Sequence, residues 1–301
     1  MKKFIKTILI FALIFFIIDK AAYFILVKTS KLQSDKKLEK ILEGGMDREL
    51  LVLGSSRGIG NLIGEQLENE TGLTTYNLSF RGSDITFQEF IFKTYLQYNK
   101  APKKLLLVID NPSLLALKST LGFRYDRLYP LAQNDVINNE LIELGKHSIA
   151  SKYVYTLRLQ SRQLKFKKIK TSNNWEIDDY GSQVVYGRSP HFEILSSNTN
   201  GDYNQEEMPE KIEALANIRK LGDTYGITIY YIFPPNLSGF NTGFLNRFNK
   251  IVPVMKNVFI YDMTKDVYRN EDYFYDESHL NHKGARLFTK DVSDFIINNS
   301  K

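Results

Sequence analysis

The chain has 301 residues, 43% hydrophobic and 25% charged, a balance that excludes a disordered or collagen-like polypeptide and suffices for one large core or two small ones. It has no cysteine, so disulfide frameworks, thiolate catalysis and Cys-ligated metal centres are excluded. Forty Lys and Arg against 34 Asp and Glu give a net charge of +6, which suggests nucleic acid or a membrane surface until the charge is located along the chain.

Lys2, Lys3 and Lys6 precede an uninterrupted apolar run, ILIFALIFFII, over residues 8–18. Asp19 and Lys20 interrupt it, and AAYFILV resumes it to Val27. A basic start followed by such a run has the form of a secretory signal. The residues after 18 offer no clean small-x-small cleavage site, which favours an uncleaved anchor. At about 1.5 Å per residue, residues 8–27 reach roughly the 30 Å of a hydrocarbon core. Residues 1–27 therefore read as a membrane anchor or signal segment and 28–48 as a polar linker. Residues 49–301 read as the main domain.

In that domain the strand-like runs are 49–53, 74–78, 104–109, 227–233 and 257–261. Lys104–Ile109 is apolar on both faces, as a buried parallel strand is. Helix-like stretches cover 58–68, 87–98, 209–225, 244–256 and 283–298. Strand alternating with helix predicts an α/β fold: a three-layer α/β/α domain around about five parallel strands. An insertion of about 120–205 separates the third and fourth strands. Its segment 151–170 carries seven Lys/Arg and no acid, and reads as a basic amphipathic helix, either solvated or lying against an anionic lipid surface or polymer.

Three stretches carry chemistry. In LVLGSSRG, residues 51–58, a strand ends at a glycine, and two serines lead into a helix. The carboxyl end of a parallel strand is where open α/β sheets bind ligands, and a helix start supplies unpaired N–H groups. A plain helix N-cap explains the same residues. In TTYNLSFRGSD, residues 74–84, a strand ends at Asn77, and Gly82 sits in a polar loop whose N–H groups suit an oxyanion. In DYFYDESHLNHKGARLF, residues 272–288, Asp276 precedes His279 by three, a spacing that lets the carboxylate orient the imidazole. Arg57 and Arg81 flank these stretches as candidate cations for an acidic substrate, against an ordinary surface role. Trp175, Tyr180 and Tyr186 in the insertion are candidates for stacking on sugars or for packing. Four scattered histidines give no metal-ligand spacing.

The order of these blocks resembles the SGNH hydrolases, also called the GDSL type. The resemblance places the nucleophile at Ser56, with Ser55 in the slot usually held by Asp. It carries the second-block glycine onto Gly82 and the Asp and His of the last block onto Asp276 and His279. The third block, usually G-x-N-D, corresponds to IDNPS at 109–113, where Asn111 is the one asparagine and the glycine is missing. The oxyanion hole this implies comprises the N–H groups of Ser56 and Gly82 and the Asn111 side chain. The resemblance covers 49–118 and 225–298. GSSR, YNLSFRG, YYIFPPN and DESHLNHKGA are further similar to the membrane-anchored SGNH-like proteins of cell-envelope polymer modification, among them alginate acetylation proteins and the teichoic-acid D-alanylation protein.

The resemblance implies an extracytoplasmic Ser-His-Asp esterase or O-acyltransferase acting on acyl esters, foremost acetyl, of an envelope carbohydrate. It implies no metal and no cofactor. The implied partners are an envelope polysaccharide, the membrane through the N-terminal helix, and a membrane-bound O-acyltransferase. The alternative is a catalytically silent scaffold that recruits such an acyltransferase. The charge agrees with a tether: residues 1–48 contribute +5, segment 151–170 contributes +7, and the remainder sums to −6. A nucleic-acid partner is not expected.

Overall fold

The computed structural model describes residues 1–33, 35–168, 176–191, 205–252 and 255–299. Trp175, singled out above, lies outside them. The chain divides into two compact units: residues 1–39 with 124–170, and 40–123 with 171–301. The first half of the insertion thus belongs to the same unit as the N-terminal helix.

The larger unit is α/β, with one all-parallel five-stranded sheet between helices. Its strands are β1 Leu50–Leu53, β2 Thr75–Asn77, β3 Lys104–Val108, β4 Thr228–Phe233 and β5 Val258–Ile260. They lie in the order β2-β1-β3-β4-β5. Leu50–Leu53 and Leu105–Val108 are fully buried, which matches their unbroken apolar runs.

Side-chain alternation along β4 places the layers. Tyr230 meets Phe295 of α9 (His282–Asn298), whereas Tyr231 and Phe233 meet Phe248 of α8 (Thr242–Ile251). Helix α9 also packs on α3 (Ser56–Asn61) and α4 (Gly64–Thr71), and α5 (Ile85–Tyr98) packs on α7 (Pro209–Tyr225).

The expected single helix at 58–68 is broken in two at Leu62, which is extended. The Asn77 amide draws off the carbonyls of Gly58 and Leu62 at 2.9 and 3.0 Å. Ile63 and Gly64 donate instead to Thr289 Oγ1 and Ser182 Oγ. Tertiary partners have replaced the intrahelical ladder.

The smaller unit is built on α1 (Lys2–Ser30); α2 (Lys37–Glu43) follows it in the chain. This is the one helix among the described residues long and apolar enough to cross a membrane or serve as a signal anchor, with a mean hydropathy of 2.4 in its best window. Its large side chains are exposed from Phe4 to Ile18. Asp19 is buried, accepting from Thr156 N at 2.8 Å and Thr156 Oγ1 at 3.0 Å. The apolar helix therefore does not stand free as far as Val27.

The unit also holds a short helix, α6 (Asp135–Glu143), and 3-10 turns at Ile149–Lys152, Tyr155–Arg158 and Gln163–Lys165. The basic helix expected over 151–170 is absent from its described part, 151–168. Arg158, fully buried, takes the carbonyls of Ser151 and Lys152, which an α-helix would offer to residues 155 and 156. The Thr156 N–H goes to Asp19.

Candidate active site

Ser55 is the N-cap of α3, and its buried Oγ accepts from Arg57 N at 3.3 Å. Ser56 is the first residue of the helix, and its N–H has no intrahelical acceptor. Its Oγ stands 2.8 Å from His279 Nε2. Of the two adjacent serines, the structure commits one to the helix cap and presents the other to the imidazole.

The segment carrying Asp276 and His279 is a tight loop. Phe274 bridges Leu280, and Tyr275 N donates to His279 O. Asp276 Oδ1 accepts from Ser278 N and His279 N, each at 2.9 Å, an Asx turn that folds the three-residue spacing back on itself. The His279 ring then meets the same carboxylate through Nδ1, at 2.8 and 2.9 Å to its two oxygens. Asn61, at the end of α3, accepts from Leu280 N and ties the loop to the nucleophile's helix.

Burial alone would raise Asp276. The His279 bond and charge and the N–H groups of Ser278 and His279 outweigh it and hold the carboxyl at about 2. An ionised carboxylate only accepts, so Nδ1 carries the ring proton and Nε2 is left to accept from the Ser56 hydroxyl.

Behind the serines lies a charged pair. Arg57 Nε and Asp110 Oδ1 are 4.0 Å apart, with side chains 7% and 5% exposed. Burial lowers Arg57 and raises Asp110, and each offsets the other's shift in part. The Arg57 guanidinium donates to the carbonyls of Pro234 and Pro235 at 2.7 and 2.8 Å. Arg57 is therefore not a surface arginine: it clamps the end of β4 to the nucleophile turn, and it also lines the cleft at Ser56. Arg81 bonds Gln183 and lines a small cavity with Tyr275, Asp276 and His279. Desolvation pulls it down to about 10, so it is still a cation at neutral pH.

Gly82 stands in the turn between Phe80 and Ser83 with φ +70, a left-handed conformation that favours glycine. It is not among the residues lining the cleft at Ser56. Its neighbour Ser83 donates to Gly54 O at 3.0 Å, which fixes this turn to the end of β1. Asn111 opens a 3-10 turn, Asn111–Leu114, and its side chain lies outside the described residues. Tyr186 stacks on His282, the first residue of α9, at 4.9 Å.

Ser56 and His279 open into a cleft of about 440 Å³. Its walls include Thr120, Gln205, Asn236, Ser238, Asn241 and Ser278 together with the charged Arg57 and Asp110. The many uncharged donors and acceptors among them suit a polyhydroxylated ligand. Sequence reading missed Asp110, Asn61 and Gln183 as parts of the site. Asp110 was visible as the one charged residue at the end of an apolar strand. Asn61 and Gln183 carried no local signal.

Neither the protein-family models nor the curated proteins gave a match to this chain.

Proposed function

We propose that the chain is a serine esterase or O-acyltransferase of the SGNH type, held at the membrane by its N-terminal helix and acting outside the cytoplasm on acyl esters of an envelope carbohydrate. The observation that carries this reading is the hydrogen-bonded series Ser56 Oγ–His279–Asp276, with its serine end facing a polar cleft.

In the proposed reaction Ser56 Oγ attacks the ester carbonyl while His279 Nε2 takes its proton. Asp276 keeps the tautomer and offsets the imidazolium charge. The Ser56 N–H stabilises the tetrahedral oxyanion, with Gly82 and Asn111 as its further donors by resemblance. One such donor is worth roughly 3–4 kcal/mol. The protonated imidazole then donates to the leaving alcohol. An acyl-serine remains, and water or a sugar hydroxyl deprotonated by His279 removes the acyl group. Water gives an esterase and the sugar gives a transferase.

An activated acetyl ester assayed with and without an oligosaccharide acceptor tests the reading. Acceptor-dependent product supports transfer, and release of free acetate alone supports hydrolysis. Ester turnover that Ser56→Ala leaves unchanged would sink both. The second reading is a silent scaffold for a membrane-bound O-acyltransferase. It is favoured by the third block, where a buried Asp110 precedes Asn111 and the family's glycine is absent. It requires polymer acylation in cells to survive Ser56→Ala.

A further inference from the structure

The stretch of α1 whose large side chains are exposed on all sides, Phe4 to Ile18, spans about 22 Å at roughly 1.5 Å per residue, short of a hydrocarbon core of roughly 30 Å; beyond it Phe24 alone among the large apolar side chains stays exposed, on one side of the helix. The next residue, Asp19, is not free to enter lipid alone: it is bonded to Thr156. The Tyr155 ring packs edge-on against Tyr23 at 5.0 Å, and Lys20 lies over both Phe16 and Tyr155. The turns Ile149–Lys152 and Tyr155–Arg158 pack on each other and so sit at this level of the helix. Gln163, by contrast, meets Thr29, about 15 Å further along α1. The turns near Asp19 present Ile149, Tyr153 and Leu157 at 70, 84 and 48% exposure, interspersed with Lys152. A helix too short for the core sinks until what is fixed to it meets the lipid. Exposed aromatic and aliphatic side chains beside lysines are the chemistry of the bilayer interface.

We propose that residues 149–157 form a partial collar on one side of α1 that is seated in the bilayer interface, with Ile149, Tyr153 and Leu157 in contact with lipid. This rests on the reading of α1 as a membrane anchor. The collar makes up the shortfall of the helix, and Asp19 enters the interface already hydrogen-bonded. Its occupant is the lipid bilayer itself.

The absence of native cysteine makes the test direct. Full-length Tyr153→Cys, Leu157→Cys, Phe11→Cys and Ser161→Cys variants carry a nitroxide in vesicles of phosphatidylcholine with phosphatidylglycerol. Collision with oxygen, which concentrates in lipid, is compared with collision with a water-soluble nickel chelate. The expected oxygen-to-nickel ratio at 153, 157 and 11 is several-fold above that at 161. Ratios at 153 and 157 equal to that at 161, with Phe11→Cys still oxygen-rich, overturn the collar and leave the anchor standing. An aqueous Phe11→Cys label overturns the anchor reading and the collar with it.

Discussion

Ser56 Oγ and His279 Nε2 lie 2.8 Å apart across 223 residues of sequence. Two local devices make that contact. The Ser55 cap sets where α3 begins, and so where Ser56 points. The Asx turn at Asp276 brings the ring over its own carboxylate. The contact is then a property of how the β1 end and the last loop meet through Asn61 and Leu280.

Substitution of the two serines should separate their roles. Ser56→Ala removes the nucleophile and should abolish labelling by a fluorophosphonate probe, with ester turnover falling about 10⁴-fold or more. Ser55→Ala should keep labelling and lose about 1 kcal/mol of stability, the usual worth of an N-cap. Gel fluorescence and thermal melts on both variants check this. Equal labelling of Ser56→Ala and the parent would refute the assignment.

Asp276→Asn should lower turnover by about 10⁴-fold without unfolding the chain, because an amide favours the wrong imidazole tautomer. The pH dependence has a defined sign. The folded carboxyl is held at about 2, below its ordinary 3.8. Its contribution to stability is therefore complete above the ordinary value and is lost as pH falls towards 2. Melting temperature against pH should show an acid-side loss below about pH 4 that is smaller in Asp276→Asn.

Arg57→Met should cost about 3–5 kcal/mol, because it leaves the buried Asp110 charge without its partner and the Pro234 and Pro235 carbonyls without a donor. The double variant Arg57→Met with Asp110→Leu should be less destabilised than the sum of the single changes. Denaturant titration of the four proteins in the cycle measures the coupling. Strict additivity would show that the pair is not coupled.

Gly58→Ala tests the close approach of α3 to the loop after β2. A Cβ there would stand 2.5 Å from Ser79 Oγ and 3.0 Å from Ser79 Cβ. Destabilisation of about 1–3 kcal/mol is expected from this overpacking, together with slower fluorophosphonate labelling as Ser56 moves with its helix. Gly145→Ala, where a Cβ meets open space in a left-handed turn, is the control for backbone strain alone. It should leave the labelling rate unchanged.

The parallel sheet, its five strands and the Asp276–His279 spacing were legible in the amino-acid order, whereas the choice of Ser56 came from the family resemblance. Strand runs apolar on both faces and the spacing of Asp276 and His279 are local patterns, and local patterns survive without neighbours. Three things were decided only by tertiary structure. Leu62 breaks a helix because Asn77, on β2, takes its carbonyl. Residues 151–168 form turns in place of a helix because Arg158 and Asp19 take the groups a helix would pair. Arg57, next to the nucleophile in sequence, is buried and clamps β4 because the neighbouring Asp110 and two proline carbonyls offer its guanidinium more than solvent does. In each case a side chain distant in sequence competes for a polar group, and burial decides the competition, since a polar group without a partner costs most where water is absent.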